Sequence, residues 1–343
     1  MMKKMTNFTQ QEKKMQMQTI KGKERPRITP KRVVLTLLIF ALMLLLPKII
    51  SNEYWLHVII GTGIVSITVI GLRILMQTGP VSFAQAGFMA VGGYTSALLV
   101  MKLGISFWIS LFFAGIVAAC VGCLLGWPAL RLKADYFFLV SFCMGEVIRL
   151  FFNFVGVDLF GGPTGLASIP PPDPVLGIEI ISKTSFFYLV FLFVCLAMLL
   201  SHSIDRSRIA TIFSAIKDRD DLAASLGINV IKYKVLAFGI SCFLAGISGA
   251  LYAHYYTCIS PTCFTVTQSV NTLAYTVVGG IGSFLGPLLG TAFLRVVGEL
   301  VRTFGDYEVM VAGVALILVV KGLPKGIISI PSYFRGSRNL NGK

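Results

Sequence analysis

The chain has 343 residues, 55% apolar and 13% charged, with 30 Lys and Arg against 15 Asp and Glu and a net charge of +15. An average soluble domain carries about 25% charged residues, so this composition excludes an ordinary water-soluble globular protein and describes a chain that dissolves in lipid. The positive charge does not mark a nucleic-acid binder either, because it gathers at the ends of apolar spans.

Residues 1–32 form a tail with a dense series of basic residues from Lys3 to Arg32 against only Glu12 and Glu24. Its polar composition predicts a disordered cytoplasmic segment that acts as an orientation signal. Residues 33–46 resemble the apolar core of a signal peptide. The long charged tail before them, and the lack of a small-residue cleavage site at Pro47-Lys48-Ile49, predict an uncleaved first span instead. About 20 apolar residues cross a bilayer as a helix. Such stretches lie near 33–50, 54–76, 79–101, 105–130, 135–156, 185–203, 235–257, 268–283, 284–304 and 308–322. No stretch alternates with period two as a membrane barrel requires. The expected fold is therefore all-α and polytopic, with about ten transmembrane helices over residues 33–326. Basic residues place the tail, the 204–234 loop and the 327–343 tail inside, and the 157–184 segment, with Lys183 alone against Asp158, Asp173 and Glu179, outside. Both termini are then cytoplasmic, which an even number of crossings satisfies.

Along these spans, two glycine-rich stretches look like counterparts: 78–99, with Gly79, Pro80, Gly87, Gly92 and Gly93, and 279–290, with Gly279, Gly280, Gly282, Gly286, Pro287 and Gly290. Interrupted apolar segments in corresponding halves point to discontinuous helices around a midplane site. The same glycines also serve plain close packing of helices. On the first reading Ser82, Gln85, Gly79 and Gly280 line the solute path. Glu146 and Arg149 share one helical face inside an apolar run, where charges usually pair and face a bundle interior. They are either a structural ion pair or part of the path. The 160–174 stretch is too rich in Gly and Pro for a helix, and Pro170-Pro171-Pro172 favours an extended run.

Between Arg206 and Lys234 runs the one long, charged, helix-patterned segment of the chain. Ala215, Ile216, Leu222, Ala223 and Leu226 recur at helical spacing, Lys217, Asp218, Arg219, Asp220 and Asp221 fill the other face, and Gly227 stands where a helix stops. This predicts a short amphipathic helix over 212–227. The seven cysteines form no metal pattern; Cys120 and Cys123 sit inside an apolar span, and Cys258 and Cys263 flank Pro261 on an outer loop where they either stay free or bridge. GGIGSFLGP at 279–287 lacks the Gly-Lys-Ser/Thr ending of a phosphate loop. His57, His202 and His254 join no nucleophile pattern, so no enzyme is expected.

Several stretches carry a resemblance to a known family. They are TGPVSFAQAGFMAVGGYTSALL (78–99), DYFFLVSFCMGEVIRLFFN (135–153), FGGPTGLASIP (160–170), VVGGIGSFLGPLLGTAFL (277–294) and KGLPKGI (321–327). Ala215, Ile216, Lys217, Asp218, Asp220, Ala223, Ala224, Gly227 and Ile228 join them. Together they resemble the branched-chain amino-acid (LivM-like) permeases of ABC importers. The chain departs from that pattern at Ala210 and Thr211 (usually Gly-Arg), at Asp220 (usually Glu) and at Ser82-Phe83-Ala84 (usually Ser-Leu-Gly).

The resemblance implies a permease subunit in the cytoplasmic membrane of a prokaryote, paired with a second permease of similar type and resting on two cytoplasmic ATPase subunits. No cofactor is expected on this chain, since ATP and magnesium belong to those partners. Ala215, Ile216, Lys217, Asp218, Asp220, Ala223 and Gly227 would couple to the ATPase, with the apolar face of the 212–227 helix in a groove of that partner. Gly161, Gly162, Pro163 and Gly165 would dock an external solute-binding protein. Branched-chain amino acids, or a related small polar solute such as urea, are the implied cargo. A secondary transporter driven by an ion gradient is the rival; it would need carboxylates at membrane depth, for which Glu146 is the clearest, with Glu299 and Asp135 nearer span ends.

Overall fold

The computed structural model describes residues 52–132, 134–174 and 182–302, together with Pro47. The basic tail, the first predicted span apart from Pro47, the 308–322 span and the 327–343 tail lie outside the described residues. Those from Asn52 onward belong to one unit.

Its helices are α1 (Glu53–Met76), α2 (Gln85–Leu103), α3 (Phe107–Ala129), α4 (Ala134–Phe154), the single turn α5 (Val157–Phe160), α6 (Lys183–Arg206), α7 (Arg208–Asp218), α8 (Asp220–Ser225), α9 (Val230–Tyr256), α10 (Val266–Gly279) and α11 (Gly286–Arg302). Among the described residues, six are long and apolar enough to cross a membrane: α1, α2, α3, α4 from Tyr136, α6 and α9. The predicted span at 268–283 does not reach that standard, and the one at 284–304 is described only as far as Arg302. The 14 residues of α10 rise only about 21 Å, short of a hydrocarbon core of about 30 Å, and Gly280 (φ +94°) turns the chain into α11, which packs back against α10. The predicted 79–101 crossing begins later than expected, at Gln85, because Gly79 (φ +105°) and Pro80 end helical geometry after α1.

α9 is the axis of the bundle and packs against α1, α2 and α3. Small residues let it come close. A Cβ on Gly249 would lie 1.9 Å from the Met89 carbonyl oxygen, and one on Gly92 would lie 2.2 Å from that of Gly246. Such contact is possible only between bare backbones, and in lipid this packing, more than water exclusion, holds helices together. α6 and the α10–α11 hairpin cover α1 from other sides, so that helix is apolar nearly all round and buried nearly all round. α3 and α4 lie outermost and turn Ile109, Phe112, Phe113, Leu139, Val147 and Phe154 outward.

The bundle has two distinct ends. One gathers the end of α1, the 77–84 link, the end of α6, α7, α8 and the 280–285 link. The other carries the start of α1, tied to α6 by a Glu53–Lys183 ion pair of 2.6 Å, and the segment after α4. That segment is packed down rather than free. Leu166 and Ile259 form an isolated antiparallel bridge, the Pro170 carbonyl oxygen accepts from His254 Nδ1 at 2.7 Å, and Asp173 accepts from the Phe107 amide at 2.8 Å. Cys258 and Cys263 are both free thiols, so the bridge considered for them is not formed.

Candidate functional site

Arg73 lies in the last turn of α1 with 2% of its side chain exposed. A guanidinium there is costly unless its donors are matched, and they are. Nη1 donates to Ser201 Oγ at 2.6 Å, Nη2 to Asp205 Oδ2 at 2.8 Å and Nε to the Ile281 carbonyl oxygen at 2.9 Å. Gln77 Nε2 donates to Asp205 Oδ1 at 2.7 Å. One cation therefore ties α1 to α6 and to the 280–285 link. Asp205 stands three residues before α7 begins. Sequence reasoning passed over this network, although an Arg inside the 54–76 span was a visible signal.

The two glycine breaks meet at this same end of α1. Gly79 follows three residues after Met76, and a Cβ on it would lie 3.7 Å from the Lys217 Cα of α7. Gly280 opens the link whose Ile281 carbonyl Arg73 holds. Ser82 and Gln85, expected to line a path, are fully enclosed in this conformation. Ser82 Oγ accepts from the Ala84 amide at 3.2 Å, and Gln85 Nε2 donates to Ser241 Oγ at 3.0 Å. Gln85 Oε1 is buried without a partner among the described residues. The first amides after the break are held by serines from elsewhere: Phe83 by Ser141 and Ala86 by Ser269, both at 3.0 Å. Other glycines of these stretches do pack helices. Gly87 abuts Gly145 of α4, and Gly279 abuts Gly286 across the hairpin.

The predicted single helix over 212–227 is two helices. Arg219 adopts extended backbone (φ −156°), and Asp220 and Asp221 then open α8, where carboxylates favour a helix N-terminus. Gly227 does end the segment, in the left-handed region at φ +81°. The expected division of faces is corrected. Ile216 and Ala223, together with Phe213, are buried against this chain's own bundle, Ala215 is half-buried, and Leu222 (54%) and Leu226 (80%) are the large apolar residues left outward, beside Lys217, Asp218, Arg219 and Asp221. Asp220 pairs with the nearly buried Lys234 at the start of α9, which clamps α8 to the bundle.

Glu146 and Arg149 pair within α4 as the spacing predicts, Arg149 Nε lying 3.0 Å from both carboxylate oxygens. They do not lock α4 to a neighbour in the bundle interior, however: 31% and 22% of the two side chains are exposed on an outward apolar helix. In the segment proposed for docking, Gly161, Gly162 and Gly165 all have positive φ, and a Cβ on Gly165 would lie 1.9 Å from the Ile259 carbonyl oxygen. These three serve the fold of the segment; Pro163 is the one that faces outward.

The fold and these sites define a multi-pass helical membrane protein, with a charged handle at one end braced by a buried cation. The chain belongs to the family described as branched-chain amino acid transport system / permease component, whose model matches residues 54–320. It is 33% identical over 304 residues to the high-affinity branched-chain amino acid transport system permease protein LivM of Escherichia coli (strain K12), covering 81% of this chain and 69% of that protein. It is 28% identical over 269 residues to the LivH permease protein of the same organism, covering 74% of this chain and 87% of that one. The nucleoside ABC transporter permease protein NupC of Lactococcus lactis subsp. cremoris (strain MG1363) is 26% identical over 243 residues, covering 64% of this chain and 74% of that protein. No solved structure matches the chain.

Proposed function

We propose that this chain is the membrane-spanning subunit of a prokaryotic ABC importer in the cytoplasmic membrane. In this reading it pairs with a second permease of similar type and is driven by ATP hydrolysis on two partner subunits, which hold the ATP and magnesium. Its cargo is a branched-chain amino acid, a reading supported by the LivM and LivH relatives, or another small polar solute such as urea. An external binding protein delivers it. The 1–32 and 327–343 tails and the 204–234 loop face the cytoplasm, and 157–184 faces outside.

The observation that carries this reading is the mechanical continuity at the handle. α7 and α8 expose charges and two leucines to a partner, while Asp205 before α7 grips Arg73, and Gly79 touches α7 from the link between α1 and α2. A push on α7–α8 therefore reaches α1, α6 and both glycine breaks together. Coupling of this kind is a rigid-body shift of packed elements. The ion-gradient alternative has less support, because Glu146 already neutralises Arg149 and Glu299 bonds Tyr54. Reconstitution in liposomes tests the choice. Leucine uptake should require ATP inside and the co-purified ATPase subunits; uptake by the lone chain under a proton gradient would refute the importer reading.

A further inference from the structure

Where α3 ends and α9 begins, the two helices leave a cleft of about 430 Å3 lined by Trp127, Arg131, Asn229, Ile231, Lys232 and Val235. The helices touch just below it: a Cβ on Gly126 would lie 2.4 Å from Phe238 Cδ1. The lining holds two cations and no carboxylate. Arg131 Cζ lies 4.6 Å from the centre of the Trp127 ring, a stacking that steadies the guanidinium and leaves its N–H edge free. Neither Arg131 nor Lys232 forms an ion pair among the described residues, whereas Lys234, two positions on, is engaged by Asp220. Asn229 caps α9, its Oδ1 accepting from the Lys232 amide at 3.1 Å, so the Nδ2 donors turn away from the helix. The positive end of this 27-residue helix adds to the field of the two cations.

Such a lining calls for an anion, and the surroundings say what carries it. α3 and α9 are both long and apolar enough to cross a membrane, so a cleft at their ends lies at the depth of lipid headgroups, where indoles such as Trp127 gather. One turn deeper, Leu124 shares a face with Trp127 and Leu236 shares one with Lys232. Both leucines are exposed, by 73% and 43%. They continue the cleft into an apolar track that suits acyl chains, and a basic pocket between spanning helices suits a headgroup phosphate.

We propose that this cleft binds an anionic glycerophospholipid, its phosphate on Arg131 and Lys232 and its acyl chains along Leu124 and Leu236. A zwitterionic lipid would bring an ammonium against two cations with no carboxylate in the lining to receive it. A free phosphate shares the headgroup chemistry but gains nothing from the leucines. The site depends on the chain spanning a membrane and not on the solute it carries.

Quenching of tryptophan fluorescence by lipids with brominated acyl chains tests this directly. The full chain has three tryptophans, so Trp55→Phe with Trp108→Phe leaves Trp127 as the reporter. This parent is reconstituted in phosphatidylcholine bilayers that contain brominated phosphatidylglycerol or brominated phosphatidylcholine. A basic residue near an anionic lipid contributes about a fivefold preference, so two of them should favour phosphatidylglycerol at Trp127 by about tenfold or more, against a ratio of about one for ordinary surrounding lipid. Arg131→Gln with Lys232→Gln should bring the ratio to within about twofold of one, and the charge-keeping Arg131→Lys should retain most of the preference. Both side chains are exposed, so melting should be unchanged. Should the Gln pair fail to fold, about 0.5 M salt on the parent decides, since it screens exposed charges and should lower the preference likewise. A ratio of about one in the parent, or a preference that survives the Gln pair or the salt, overturns the site. Relief of quenching by added inorganic phosphate would make the ligand a free anion, and relief on binding of a partner subunit would make the cleft a protein interface; either result refutes the lipid.

Discussion

The Arg73–Asp205 pair allows its two halves to be told apart by energy. Asp205→Asn leaves a charged guanidinium 2% exposed and without its anion. Removing one partner from a buried pair costs about 3–5 kcal/mol, and this variant should fall in that range. Arg73→Met removes the buried charge itself. Asp205, 25% exposed, then keeps its Gln77 bond and regains water, while Ser201 and the Ile281 carbonyl each lose a partner. With hydrogen bonds to charged groups worth about 1.5–3 kcal/mol and no buried charge orphaned, the expected loss is about 2–3 kcal/mol. The double variant should cost little more than Arg73→Met alone, so the two single effects should exceed the double by about 3 kcal/mol. Equilibrium unfolding of the full chain in mixed micelles with increasing SDS measures all three. Additivity to within about 0.5 kcal/mol, or an Asp205→Asn loss smaller than that of Arg73→Met, would show that the pair is not the buried brace described.

Other expectations follow from contact geometry. Glu146→Gln and Arg149→Met should each change stability by less than about 1 kcal/mol, and the exchange Glu146→Arg with Arg149→Glu should recover most of it, since the pair is local and part-exposed; a loss of several kcal/mol in the same micelle assay would mean a tertiary role. Gly249→Val should prevent folding, because its Cβ would meet a backbone carbonyl at 1.9 Å, whereas Gly104→Ala, in the left-handed region at φ +61° with open space around it, should cost about 1 kcal/mol; yield and melting temperature compare them. Leu226→Asp should leave melting unchanged and abolish capture of the ATPase subunits on affinity resin, while Ala223→Trp should lower melting because Ala223 is buried in this chain. Intact capture by Leu226→Asp would place the partner contact elsewhere.

The long apolar helices and their order could be read from residues 54 to 257 because hydropathy and period are local properties, summed over neighbours along the chain. The Gly227 stop and the Glu146–Arg149 pair were legible for the same reason: each needs only residues a few positions apart. Family likeness was likewise carried by contiguous stretches. What tertiary structure decided involves distance along the chain. Arg73 meets Asp205 and Ile281 across separations of 132 and 208 residues, and no pattern near residue 73 names either partner. The face that α7 and α8 bury was misjudged for the same cause. Period assigns Ile216 and Ala223 to an apolar stripe, but whether that stripe meets its own bundle or another protein depends on where α9 lies. The glycines of 78–99 carry both their readings at once, since Gly79 breaks a helix and Gly92 admits one. Only the position of a neighbouring backbone separates the two, and that position is a property of the packed bundle.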